Sequence, residues 1–259
     1  MKVKVLHKRK ENELHPVRYE KQFRQWLTER YGAEEGEKLW QKTLKQFYAY
    51  LQETPTYGGI KTEKKLSICG ALLVFSMASV VPEHLKAEDL EPLTQKVFMD
   101  GFVKLGKFFD LNRPKDIRLI HLVFKLVGKK RQKAFLKDRS GFCTHLEAFD
   151  RKQKATRYDF TQCPHAEFAK RHDLVHILPA MCNCDYYGIE QIHGCLVRQG
   201  TCGNSKRCDY CIVGSKNPIA RNYEIVRDDS GFLISVERNC VTVTVSSVVS
   251  RKEGLLMQR

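Results

Sequence analysis

The sequence has no run of the roughly 20 apolar residues that a membrane-spanning helix requires. Its longest apolar segment, Leu66 to Val81, contains Gly70 and three serines, so a buried core helix is expected there. The opening residues MKVKVLHKRKENE are basic and lack the apolar core of a secretory leader, which sets the expectation of a cytoplasmic protein with no membrane partner. A Walker phosphate loop, the dinucleotide fingerprint Gly-x-Gly-x-x-Gly and the nucleophile elbow Gly-x-Ser-x-Gly are all missing, and with them the chemistries they serve. There is no heptad array and no low-complexity tail. Without an export signal a disulfide framework is not expected. The ten cysteines read instead as buried thiols, metal ligands or reactive thiolates.

What the chain does have is 259 residues, 42% of them hydrophobic, enough to bury a substantial core. It also carries a net charge of +15, which raises the question of a nucleic-acid partner. The excess is local: Lys104–Arg157 has a net charge of +11, whereas Tyr158–Arg259 has +1. A solvated helix face explains such a stretch as well as phosphate binding does. Phe108, Phe109 and Phe124 follow helical core spacing, so nucleic acid is disfavoured. Cysteine is distributed the other way, with eight of the ten lying between Cys163 and Cys240.

Periodicity predicts helices over Val17–Arg30, Glu34–Glu53, Leu66–Val81, Glu91–Phe109 and Asp116–Phe135, with a loop at Tyr57-Gly58-Gly59. Near Ser140 the pattern changes. Phe142–Phe149 and Thr156–Phe160 read as paired strands, Glu167–Leu178 and Tyr186–Ile192 as helices, and Gly194–Thr201 with Lys206–Val213 as a hairpin around Gly203-Asn204-Ser205. Glu224–Val226, Phe232–Val236 and Val241–Val249 read as further strands. The expected architecture is α+β: a helical region over 1–139 packed on a Cys-rich antiparallel sheet region over 140–259, in one integrated domain.

The chemically dense segment is 158–214. It contains Cys163 at a strand end, Glu167 and Phe168 on a helix, and the step Cys182-Asn-Cys-Asp185. Leu196, Arg198 and Thr201 follow on a strand, then Gly203 and Cys208-Asp209-Tyr210. As a set these residues resemble the L-2-amino-thiazoline-4-carboxylic acid hydrolase family, over about a quarter of the chain. Cys184 and Cys211 depart from the family pattern. The resemblance implies hydrolytic opening of a cyclic isothiourea to N-carbamoyl-L-cysteine, a step in cysteine metabolism. Such a reaction needs an acceptor for the water proton, a cation for the substrate carboxylate and a donor for the leaving atom.

Asp185 is the first candidate for base or amidinium partner, with an N-cap before Tyr186 as its structural alternative. Cys182 is a candidate nucleophile if a neighbouring His activates it, or else a small buried hydrophobe. Arg198, in the strand Leu196-Val-Arg-Gln, is expected to clamp the carboxylate of a small anionic substrate. Cys208 is expected to point inward and Asp209 to support a loop or an arginine, while Thr201 and Glu167 join the substrate-binding set. His193 is the candidate donor or orienter of Asp185, in competition with His172 and His176 at i and i+4. No cofactor is expected. Zinc held by Cys182/Cys184, Cys208/Cys211 and that His pair is the rival reading, opposed by a one-residue spacer and by strand alternation. A non-catalytic ligand-binding or thiol redox-sensing module is the alternative from another functional class.

Overall fold

The computed structural model describes residues 16–54, 56–57, 60–61, 66–137, 139 and 141–238. Two amphipathic helices come first, α1 (Pro16–Tyr31) and α2 (Ala33–Glu53). The α2 stripe of Leu39, Trp40, Thr43, Phe47 and Tyr50 is buried, as its 3.6-residue spacing requires. The short strands β1 (Thr56–Tyr57) and β2 (Ile60–Lys61) pair antiparallel around the expected loop, whose two glycines lie outside the described residues. Next comes α3 (Leu66–Val80), apolar on all sides. A helix without a polar face is stable only when surrounded, and Ile68 through Met77 are indeed buried at every position.

The single helix expected over Glu91–Phe109 is instead two, α4 (Ala87–Phe98) and α5 (Asp100–Gly106), joined at Met99. A continuous periodicity conceals such a break, because both pieces turn apolar residues toward the same core. The long basic helix α6 (Pro114–Lys137) follows. Phe109 and Phe124 pack against the core, but Phe108 is 78% exposed, contrary to its spacing.

The remainder forms a four-stranded antiparallel sheet of order β3-β4-β6-β5, with β3 (Cys143–Leu146), β4 (Thr156–Gln162), β5 (Gly194–Val197) and β6 (Cys208–Gly214). Three helices lie between β4 and β5: α7 (Pro164–Arg171), α8 (Leu178–Cys182) and α9 (Cys184–Gln191). The uninterrupted helix expected over Glu167–Leu178 stops at Arg171 and resumes as a 3-10 turn at Val175–Ile177, with Asp173 at φ 57°. A short helix α10 (Pro218–Arg221) leads to the hairpin β7 (Tyr223–Arg227) and β8 (Leu233–Glu237). The strand expected over Val241–Val249 lies outside the described residues.

The fold is α+β, and one apolar cluster runs from Phe23 and Trp40 through α3 to Leu196 and Ile212 of the sheet. A polar clasp fastens the last hairpin to it. Glu91 on α4 accepts both Arg227 guanidinium nitrogens, at 2.8 and 3.1 Å, and the Asn183 amide at 2.8 Å. The Asn183 carbonyl oxygen accepts the Leu233 backbone N–H. Among the described residues no helix is long and apolar enough to cross a membrane.

Candidate active site

Strand alternation and register assemble one face of the sheet. Thr156, Tyr158 and Phe160 of β4 stand opposite Ile212, Tyr210 and Cys208 of β6, and Leu196 of β5 stands opposite Ile212. The result is an aromatic floor. Tyr158 and Tyr210 stack at 4.5 Å with an interplanar angle of 9°, and Phe160 meets each of them edge-on. Such offset and edge contacts are the favoured geometries for rings.

Above this floor lies the first turn of α9, which carries Asp185. Gly188, one turn on, lets the helix close against α5: a Cβ there would stand 3.1 Å from the Phe102 ring. Asp185 Oδ2 accepts the Tyr210 hydroxyl at 2.6 Å and Arg198 Nη1 at 3.0 Å. No bond to Oδ1 is formed among the described residues, and the side chain keeps 43% of its surface open. The carboxylate is thus fixed by one oxygen, with its other oxygen open to solvent beside the aromatic floor, the space called the recess below. Burial raises its pKa above the ordinary carboxylate range, against the opposing pull of Arg198, Tyr210 and Arg131. The helix begins at Cys184, so Asp185 is within the first turn and does not serve as its N-cap.

Arg198 is fully buried, and its guanidinium is committed to the protein. Besides Asp185, Nη1 donates to the Cys182 carbonyl at 3.1 Å and Nη2 to the Leu233 carbonyl at 3.3 Å, while Nε is without a partner. The group lies over the rings of Tyr186 and Tyr210 at 4.9 and 5.6 Å. Burial works against its charge, but Tyr210, Asp185 and Cys182 outweigh it and raise its pKa. Arg198 therefore braces Asp185 from behind, which corrects its reading as the substrate clamp.

Cys163 and Cys182 lie within electrostatic reach of the carboxylate. Cys182, at the end of α8, and Cys163, before α7, are partly open, and burial raises both pKa values, Cys163 to about 12. Neither is a ready thiolate. Cys208 points to the inner face, where its Sγ accepts the Cys202 backbone N–H at 3.1 Å, while Cys202 Sγ donates to the Phe160 carbonyl at 3.3 Å. The first proton of this pair leaves below the ordinary thiol range and the second far above it.

The remaining sequence candidates scatter. His193 is exposed at the start of β5. Its carbonyl accepts from Asn112 and Ser215 and its nearest charged influence is on Asp110, so the expected link to Asp185 is not formed. His172 pairs with Glu53 at 2.8 Å, and His176 stacks on His84 at 4.2 Å. The break after Arg171 separates them, which removes the i, i+4 ligand pair. Among the described residues no three His, Cys, Asp or Glu side chains gather so as to hold a metal. Asp209 faces the outer side and accepts the backbone N–H groups of Gln199 and Gly200. Thr201 is buried, its hydroxyl bonded to Asn204, and so shapes the turn rather than facing the recess. Glu167 is exposed on α7.

Residues that sequence reasoning did not cast in a role complete the site. Tyr210 and Tyr158 were hidden because register, not spacing, brings them beneath Asp185. Arg131 was hidden in the basic run: it is the α6 cation turned inward, its guanidinium 4.9 Å from the Phe142 ring and 5.4 Å from Phe160. A separate groove of about 610 Å³ between α6 and β3, lined by His121, Lys125, Lys129 and Thr144, contains none of these groups.

The model of the L-2-amino-thiazoline-4-carboxylic acid hydrolase family matches residues 68–212, more than half of the chain. The chain belongs to that family. Neither curated proteins nor solved structures return a match. The span shared with the hydrolase family opens in α3 and closes on β6. It therefore includes Arg131, Asp185, Arg198 and Tyr210, and it leaves out the β7–β8 hairpin that closes over Arg198.

Proposed function

We propose that this chain hydrolyses a small anionic molecule at an amidine-like carbon, with L-2-amino-thiazoline-4-carboxylate, the substrate in the family's name, as the first compound to test. The observation that carries this reading is Asp185, one oxygen pinned by Arg198 and Tyr210 and the other open to the recess. In the reaction, water adds to the ring carbon between nitrogen and sulfur as Asp185 takes its proton. The hydroxyl proton of the tetrahedral adduct moves to the ring nitrogen as the C=O bond forms and the C–S bond breaks, and Asp185 returns its proton to the departing sulfur. The product is an open-chain N-carbamoyl thiol, and the sum is substrate plus one water. A raised pKa suits a carboxyl that must both accept and return a proton near neutrality. Burial raises the Cys182 pKa and no histidine interacts with it among the described residues, which favours water over a covalent thiol adduct.

The test is incubation of the purified protein with L-2-amino-thiazoline-4-carboxylate, following product mass and free thiol. Appearance of N-carbamoyl-L-cysteine, lost in Asp185→Asn, is expected. Parental turnover in Asp185→Asn removes the residue assignment, and no turnover in the parent removes the substrate.

A second reading, a thiol redox module, rests on Cys202 and Cys208. A peroxide would take two electrons and two protons from the pair, giving a disulfide and two waters. A loss of two mass units across the peptides bearing Cys202 and Cys208 after peroxide treatment supports it. Unchanged free thiols at both positions remove it.

A further inference from the structure

The site reading leaves one charged group unexplained. Arg131 projects from α6 between Phe142 and Phe160, and its electrostatic neighbours are the recess groups Tyr158, Tyr210, Cys163 and Asp185. Several arginines hold carboxylates, as Arg30 does Glu83 and Arg227 does Glu91, and others such as Arg139 and Arg171 lie over a single ring, whereas Arg131 lies over two rings of the site. Arg131 forms no hydrogen bond or ion pair among the described residues, although burial acts against its charge strongly enough to lower its pKa. Asp185 does not neutralise it, being held by Arg198 and Tyr210. A half-buried guanidinium that lies on two ring faces, with no protein acceptor among the described residues, keeps its donor edge free for an anion. Its planar fork matches a carboxylate with two parallel bonds, and the rings around it admit a flat molecule.

We infer that Arg131 is the receptor for the carboxylate of a small, flat substrate, which it holds in the aromatic recess with the reacting carbon facing the open oxygen of Asp185. The position of the reacting carbon rests on the hydrolase reading, whereas the anion site does not. The juxtaposition gives the recess two charged ends with separate tasks: Arg131 recognises, and Asp185 moves the proton. It also explains how an aromatic pocket selects an anion once Arg198 is committed to the protein interior.

The experiment measures binding by calorimetry of thiazoline-4-carboxylate, which lacks the 2-amino group, and of its methyl ester. Parent, Arg131→Met, Arg131→Lys and Asp185→Asn proteins are compared. The parent is expected to bind the acid about 30-fold more tightly than the ester, the worth of a charge-assisted pair. Arg131→Met should lose that preference while binding the ester as the parent does. Arg131→Lys should keep part of it, and Asp185→Asn should still bind the acid in preference to the ester. Because Arg131 has no ion pair among the described residues and Met keeps an unbranched chain against the Phe142 and Phe160 rings, the melting temperature of Arg131→Met should lie close to the parent's, so a folding defect does not mimic the result. The inference is overturned if the parent does not prefer the acid, or if Arg131→Met weakens acid and ester equally. Arg131-dependent acid binding without turnover of the amino compound leaves the anion site standing and removes the hydrolase reading. Turnover with an unchanged KM in Arg131→Met does the reverse.

Discussion

Replacing Arg198 with Met tests whether the site is built on a braced carboxylate. Methionine keeps an unbranched chain against Tyr186 and Tyr210 and deletes the three guanidinium bonds. Removing one partner of a buried pair costs about 3–5 kcal/mol, and the open side of Asp185 moves the expected loss toward about 3 kcal/mol. The abandoned carbonyls of Cys182 and Leu233 add about 1 kcal/mol. For a chain of this size that corresponds to a melting temperature about 10 °C lower.

The sign with pH follows from the direction of the Asp185 shift. A carboxyl whose folded pKa lies above its unfolded value favours the fold below the unfolded pKa, and that benefit is lost as pH rises through the folded pKa. Without Arg198 the folded pKa rises further, so the defect should be largest at pH 8 and should shrink toward pH 5, where Asp185 can protonate. Thermal unfolding of parent, Arg198→Met, Asp185→Asn and the double variant, at both pH values, reads this as a coupling of about 2 kcal/mol that fades with acid. A loss that is the same at pH 5 and pH 8, or additive single effects, refutes the charge argument.

Asp185→Asn should lower turnover by about 10²–10⁴, the range of a positioned proton acceptor, with ligand binding retained, as progress curves and calorimetry report. His193→Ala should keep parental turnover, because that side chain is exposed near Asp110; a large loss would restore it to the mechanism. Glu91→Ala should cost about 3 kcal/mol, because the Arg227 guanidinium and the Asn183 amide lose a shared, nearly buried acceptor. Its melting temperature is the check, with Glu91→Gln expected to lie between Glu91→Ala and the parent.

Local pattern determined much of this protein. The stripe of α2, the wholly apolar α3 and the alternation in β4 and β6 can be read residue by residue, because helix and strand periods are properties of the backbone itself. So could the inner-face position of Cys208, which strand alternation sets. Tertiary structure decided the rest. The break at Met99 and the end of α7 at Arg171 preserve the core-facing pattern, so periodicity could not register them, and the second of these separates His172 from His176. Register placed Tyr158 and Tyr210 together beneath Asp185 across fifty residues of sequence. The difference between the two arginines was hidden for a related reason. An arginine in a strand and an arginine in a basic run look alike in sequence, because sequence does not show which of them finds its counter-charge within the fold. Arg198 finds it in Asp185, and Arg131 finds none among the described residues.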